Sequence, residues 1–190
     1  MPLTAAHGRH DLQWRKAITP YRIWISEIML QQTQVVTVEP YFKKFIKKYP
    51  TLKSIQDASE DEILTLWSGL GFYKRARNIF QTKEIIHSEH KGRFPKTFEE
   101  IIKLPGIGKS TAGAIMSIAH QIPTPILDGN VKRILQRYFS DGKNIFSEKE
   151  LWNLSLNVSN AANSNLYTQG IMDIGELYVP LRIQNVPDVP

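Results

Sequence analysis

The stretch LPGIGKSTAGA, Leu104–Ala114, combines a Pro-Gly turn with the Gly-Lys-Ser-Thr end of a nucleotide-binding loop. A phosphate loop of the form G-x-x-x-x-G-K-[ST] needs a glycine five positions before Gly108, and that position is Lys103. The preceding residues, TFEEIIK, read as an amphipathic helix and not as the strand such a loop must follow. What remains is a helix, a tight turn Pro105-Gly106-Ile107-Gly108, and a second helix from near Lys109 through STAGAIMSIAH. Glycines let the backbone turn sharply and aim amide N–H groups at an anion. This reads as a helix-hairpin-helix, about residues 98–119, whose usual anion is a DNA backbone phosphate, or, on this segment alone, as an ordinary helix–turn–helix connection.

Two carboxylates could do chemistry. Glu27 lies in IWISEIMLQQ among Ile25, Ile28, Met29 and Leu30, so it is either on the polar stripe of a helix or desolvated for a purpose. Asp128, in ILDGNVKR, is placed to cap a helix beginning near Gly129. Taken singly, each has an ordinary structural explanation.

The elements that must position these residues read as helical almost throughout from Pro20. YRIWISEIMLQQTQVVTVEPYFKKFIKKYP divides into two helices, with the break expected near Val38–Pro40. Ser59 caps EDEILTLWSGL, Gly69 and Gly71 end it, and YKRARNIFQTKEIIHSEH follows. Pro123 and Pro125 mark a boundary before the Asp128 helix, and SEKELWNLSLNVSNAA and LYTQGIMDIGELY supply two more. Residues 1–11 show no helical period, and no period-2 strand or internal repeat occurs. The fold class expected is all-α, with Gly and Pro in short turns.

At 190 residues and 42% hydrophobic content the chain can bury a core. An excess of Lys and Arg over Asp and Glu, 24 to 18, gives a net charge of +6 that suits a polyanionic partner. With no signal peptide and no apolar run long enough to span a bilayer, a cytosolic protein is expected, at the bacterial nucleoid or in a eukaryotic nucleus. The absence of cysteine excludes disulfides and thiolate metal sites.

Four blocks, SEIMLQQTQ, WSGLGFYKRARN, LPGIGKSTAGA and ILDGNVKR, occur in this order and at separations that change the reading. Together they closely resemble the catalytic domain of adenine DNA glycosylases in the helix-hairpin-helix superfamily, from about Leu12 to the C-terminus. The resemblance implies a six-helix barrel, residues 20–127, packed on a second helical lobe formed by 1–19 and 128–190, with the active site in the cleft between them. It implies that Glu27 protonates adenine, that Asp128 faces the deoxyribose, and that Asn130 supports the site. Breaking an N-glycosidic bond leaves positive charge on the sugar and negative charge on the purine, so an acid and an anion are needed. An apolar pocket would raise the Glu27 carboxyl, while amides at its own helix start would keep Asp128 ionised.

The base must be flipped out of the duplex. By resemblance Leu12, Trp14, Leu30, Val35 and Asp173 surround it, although Trp14 is also a natural core residue. Gln31, Gln32, Thr33, Phe72 and Tyr73 fall on the side that meets the helix, with Gln32, Thr33 and Phe72 wedging into it. Lys74, Arg75, Arg77, Lys132 and Arg133 are candidates for phosphate contacts or for a solvated face. Gly106, Gly108, Lys109 and Ser110 form the hairpin expected to hold one DNA phosphate, with a monovalent cation as an optional companion.

The sequence departs from the family pattern in several places. Relatives hold an iron–sulfur cluster through four cysteines; here Val179, Val186 and Val189 stand at the first three positions, so no such cofactor is expected. His10 and Gln13 replace an arginine and a proline, Phe72 replaces a tyrosine, and the domain that reads 8-oxoguanine is not in the chain. A lyase would need a nucleophilic lysine where Ser110 stands. The expectation is a monomeric, monofunctional glycosylase acting on adenine mispaired with 8-oxoguanine or guanine in double-stranded DNA. The alternatives are a thymine mismatch glycosylase of the same fold and a catalytically inactive DNA-binding remnant.

Overall fold

The computed structural model describes residues 11–140, 145–159 and 163–177. These residues form eleven α-helices and no strand, as the sequence leads one to expect. In chain order the helices are α1 (Gln13–Lys16), α2 (Pro20–Leu30), α3 (Val35–Lys48), α4 (Leu52–Ile55), α5 (Glu60–Trp67) and α6 (Lys74–Glu89). There follow α7 (Phe98–Ile101), α8 (Lys109–Ala114), α9 (Gly129–Phe139), α10 (Glu148–Val158) and α11 (Ser164–Leu177). None of them is long and apolar enough to cross a membrane.

Helix starts follow local chemistry. Thr19 accepts the Arg22 amide at 3.2 Å, and Pro20 at the first helical position gives up no needed donor. Ser59 and Glu62 close a reciprocal capping box, as do Ser147 and Glu150. The core carries Trp24, Trp67, Phe42 and Phe45, all fully buried. Helix α2 is central: it packs on α3, α6 and α8, while α9 packs on both α10 and α11 and α11 rests on the residues after α8.

The break between α2 and α3 falls at Gln31–Gln34 and not at Val38–Pro40. Gln32 stops α2 by adopting a left-handed backbone with φ 55°. Pro40 sits inside α3 instead. The carbonyl that its missing N–H would have met belongs to Val36, which is 74% exposed, so water can serve that group.

The helix after the hairpin also differs from a plain α-helix, since Ile115–Ala119 widens into a π-helical turn. Gly113 precedes it, and a Cβ there would collide with the Pro125 carbonyl. The glycine therefore lets the chain approach α8 on its way to Asp128. Ser110 Oγ accepts the Leu127 amide at 3.0 Å, and Ser155 donates to the Ile126 carbonyl at 2.6 Å. Three small residues thus hold the extended segment that delivers Asp128.

Candidate active site

A cleft of about 1110 Å3 runs along α2 and is closed on its other side by α9 and α11. Glu27 projects from α2 and Asp128 from the start of α9, 101 positions later, and both line the cleft. Burial pushes the Glu27 carboxyl up to about 8; the Asp128 charge adds to this and Arg15 opposes it. A carboxyl in this state carries a proton at neutral pH.

Asp128 caps α9 by accepting the Val131 amide at 2.8 Å. Burial pushes its carboxyl above the ordinary range, and the helix-start amides, which favour the ionised form, only partly offset this. The amides do help keep it ionised, as expected, but desolvation is the larger effect. Asn130 lines the cleft two residues on, and Arg133 donates to its side-chain oxygen as well as to the Gly129 and Gly175 carbonyls. Arg133, expected at a phosphate, instead fastens α9 to α11. A Cβ on Gly175 would come within 2.6 Å of the Asn130 Cβ, so only glycine permits this helix contact.

Of the residues expected around an extruded base, Leu12, Trp14, Leu30 and Val35 line the cleft. Trp14 is also core, 6% exposed with its ring edge-on to Phe42 at 5.3 Å, so both of its readings hold. Asp173 is not among the lining residues. It is buried behind the wall and forms a bidentate pair with Arg15 at 2.7 and 2.9 Å, which holds Arg15 at the cleft. Arg15 was missed because its partner lies 158 positions away. Ser26, Gln169, Met172 and Glu176 also line the cleft and carried no local signal.

At the mouth, three segments meet along one edge. The Gln31 side chain donates to the Gly106 carbonyl at 3.1 Å and so joins the turn after α2 to the hairpin. Gly106 has φ 76°, and a Cβ there would press on Asn78. Gly106, Gly108 and Lys109 are exposed, and Gly108 begins α8. Gln32, Phe72, Tyr73 and Lys74 are exposed and Thr33 is half-buried. Arg77 and Lys132 already have carboxylate neighbours, Glu60 at 3.3 Å and Glu148 at 3.6 Å, in solvent-facing pairs that a phosphate can replace at small cost.

Arg75 is the clear correction. It is 5% exposed, and its two terminal nitrogens donate to carbonyls of Ile28, Met29, Gln31, Leu70 and Gly71. A guanidinium occupied in this way offers nothing to a phosphate.

Residues 25–155 match the model of the HhH-GPD superfamily of base excision DNA repair proteins. The chain belongs to this superfamily. Within it, the chain is 52% identical over 172 residues to the adenine DNA glycosylase of Buchnera aphidicola subsp. Acyrthosiphon pisum (strain APS), covering 89% of this chain and 49% of that protein. The chain spans about half the length of this and two other curated relatives that it matches. A thermostable thymine-DNA glycosylase superposes with a TM-score of 0.82 at 28% identity, over 92% of this chain and 82% of that one. A non-covalent endonuclease III–DNA complex shares the fold, with a TM-score of 0.77 at 20% identity over 97% and 85% of the two chains.

Membership in the HhH-GPD superfamily accounts for the helical architecture and the hairpin. The chain has no cysteine, and the valines at 179, 186 and 189, which lie outside the described residues together with His10, have no lone pair to offer iron. Among the described residues no group of three His, Asp or Glu side chains could hold a metal ion.

Proposed function

We propose that the protein is a monofunctional DNA glycosylase that hydrolyses the N-glycosidic bond of adenine mispaired with 8-oxoguanine or guanine in double-stranded DNA, acting as a monomer and without an iron–sulfur cluster. The observation that carries this reading is that Glu27, its carboxyl raised by burial, and Asp128 line one cleft. The choice of adenine is supported by the 52% identity to an adenine DNA glycosylase.

The reaction follows from the two carboxyls. Glu27 donates its proton to N7 of an adenine turned into the cleft, so the electrons of the C1′–N9 bond leave with a neutral purine. Positive charge then develops on the sugar, and ionised Asp128 stabilises it. Water adds to C1′ and gives its proton to the Glu27 carboxylate, which restores the acid. An abasic sugar remains in an intact strand. Ser110 lines the cleft; by resemblance it stands where a lyase would carry its amine, and a hydroxyl forms no Schiff base.

The experiment is single-turnover excision on duplexes with adenine opposite 8-oxoguanine, guanine or thymine, and thymine opposite guanine, resolved before and after alkali. Adenine release that requires alkali to cut the strand is expected. A thymine preference would favour the second reading, which the thymine-DNA glycosylase superposition supports. Binding without any excision would leave a DNA-binding remnant, and strand cleavage without alkali would reveal a lyase.

A further inference from the structure

Gln32, which lines the cleft, and Phe72, on a neighbouring turn, are exposed, and both hold left-handed backbones, with φ 55° and 49°. Residues with side chains seldom adopt this conformation, and it persists where surrounding structure enforces it, often at functional sites. The enforcing group is the same for both turns. One terminal nitrogen of Arg75 donates to the carbonyls of Met29 at 2.6 Å and Gln31 at 2.5 Å. The other reaches Gly71 at 3.2 Å. The guanidinium also lies against the Phe72 ring at 5.1 Å and the Trp67 ring at 5.4 Å, and the Trp67 indole donates to the Gly71 carbonyl at 2.9 Å. Arg75 therefore closes the C-terminal end of α2, where carbonyls lack helical partners, and ties it to the second turn.

We infer that Arg75 is a positioning residue: it clamps the Gln31–Gln32 turn to the Gly71–Phe72 turn, so that Gln32 and Phe72 enter a duplex as one preformed wedge. This rests on the proposed base-excising function and adds to it the group that prepares the protein for base extrusion. Ordering two turns before DNA arrives removes an entropy cost from the extrusion step. A lysine keeps the charge but, with one nitrogen, cannot bridge both turns or stack flat on the Phe72 ring.

The test compares the native chain with Arg75→Lys on adenine opposite guanine and adenine opposite an abasic site, the second having no partner base to break from. The clamp predicts that Arg75→Lys slows excision roughly tenfold opposite guanine and roughly threefold or less opposite the abasic site, since the extrusion cost differs between them. In a Glu27→Gln background, 2-aminopurine placed at the adenine position should brighten less with Arg75→Lys. Equal losses on both duplexes with unchanged brightening would overturn the clamp while leaving the glycosylase reading intact. Failure of the native chain to excise adenine would defeat that reading instead. Gln32→Ala and Phe72→Ala test the same idea without touching Arg75. If the turns act as one unit, the double variant loses less than the product of the single losses, whereas losses that simply multiply overturn it.

Discussion

Ionised Asp128, at the first turn of α9, raises the carboxyl of Glu27 on α2, which burial has already pushed up to about 8. For a glycosylase that needs Glu27 protonated, excision should fall as pH rises through about 8. Asp128 must be ionised, and its own carboxyl is raised, so the acid limb should lie above the ordinary carboxylate range. Single-turnover rates measured across pH at constant ionic strength should give a bell with these two limbs. A rate still climbing at pH 9 would remove Glu27 as the acid.

Glu27 also makes a stability prediction. A carboxyl raised in the folded state binds protons more tightly there than in the unfolded chain, so stability falls as pH rises between the ordinary Glu range and about 8. Above pH 8 the full cost is present, and Glu27→Gln removes it. The variant should be more stable at pH 9 by on the order of 1–3 kcal/mol, with the difference fading below pH 5, and it should excise no adenine. Thermal melts at the two pH values check this.

Asp128 does two jobs that substitutions can separate. Asparagine still caps α9, so Asp128→Asn should cost a few tenths of a kcal/mol, while Asp128→Ala should cost about 1 kcal/mol. Both should abolish excision, because neither supplies an anion to the sugar. In both, Glu27 should titrate lower once its neighbour's charge is gone, which carbon-detected NMR of the Glu27 carboxyl would show.

Gly175 sets how closely α11 approaches the Asn130 turn of α9. Gly175→Ala would force these helices apart and should cost about 1–3 kcal/mol from overpacking. Excision should fall more than global stability alone explains, since Asn130 and Arg133 move with the contact. Denaturant melts together with single-turnover rates separate the two effects.

The legible parts of the fold were those written in local chemistry. Ser59 before Glu60 and Asp128 before Gly129 announced their helices because capping involves residues only three apart. The α2–α3 break was misplaced because proline in a helix is tolerated where the orphaned carbonyl faces water, and only the exposure of Val36 reveals that. Arg75 read as a phosphate contact because an arginine in a basic run looks the same in sequence whether it is buried or solvated.

By itself the sequence determined the helical class and the hairpin turn, which are carried by residue identity and short spacing, while the two carboxylates stood out only through the resemblance of four blocks in order. Tertiary structure decided what those residues experience. Burial beside Asp128, not its own helix, turns Glu27 into an acid. The pairing of Arg15 with Asp173 and the gathering of two turns on Arg75 join segments far apart in the chain. Desolvation and long-range hydrogen bonds depend on which surfaces meet, and no local stretch of sequence contains that information.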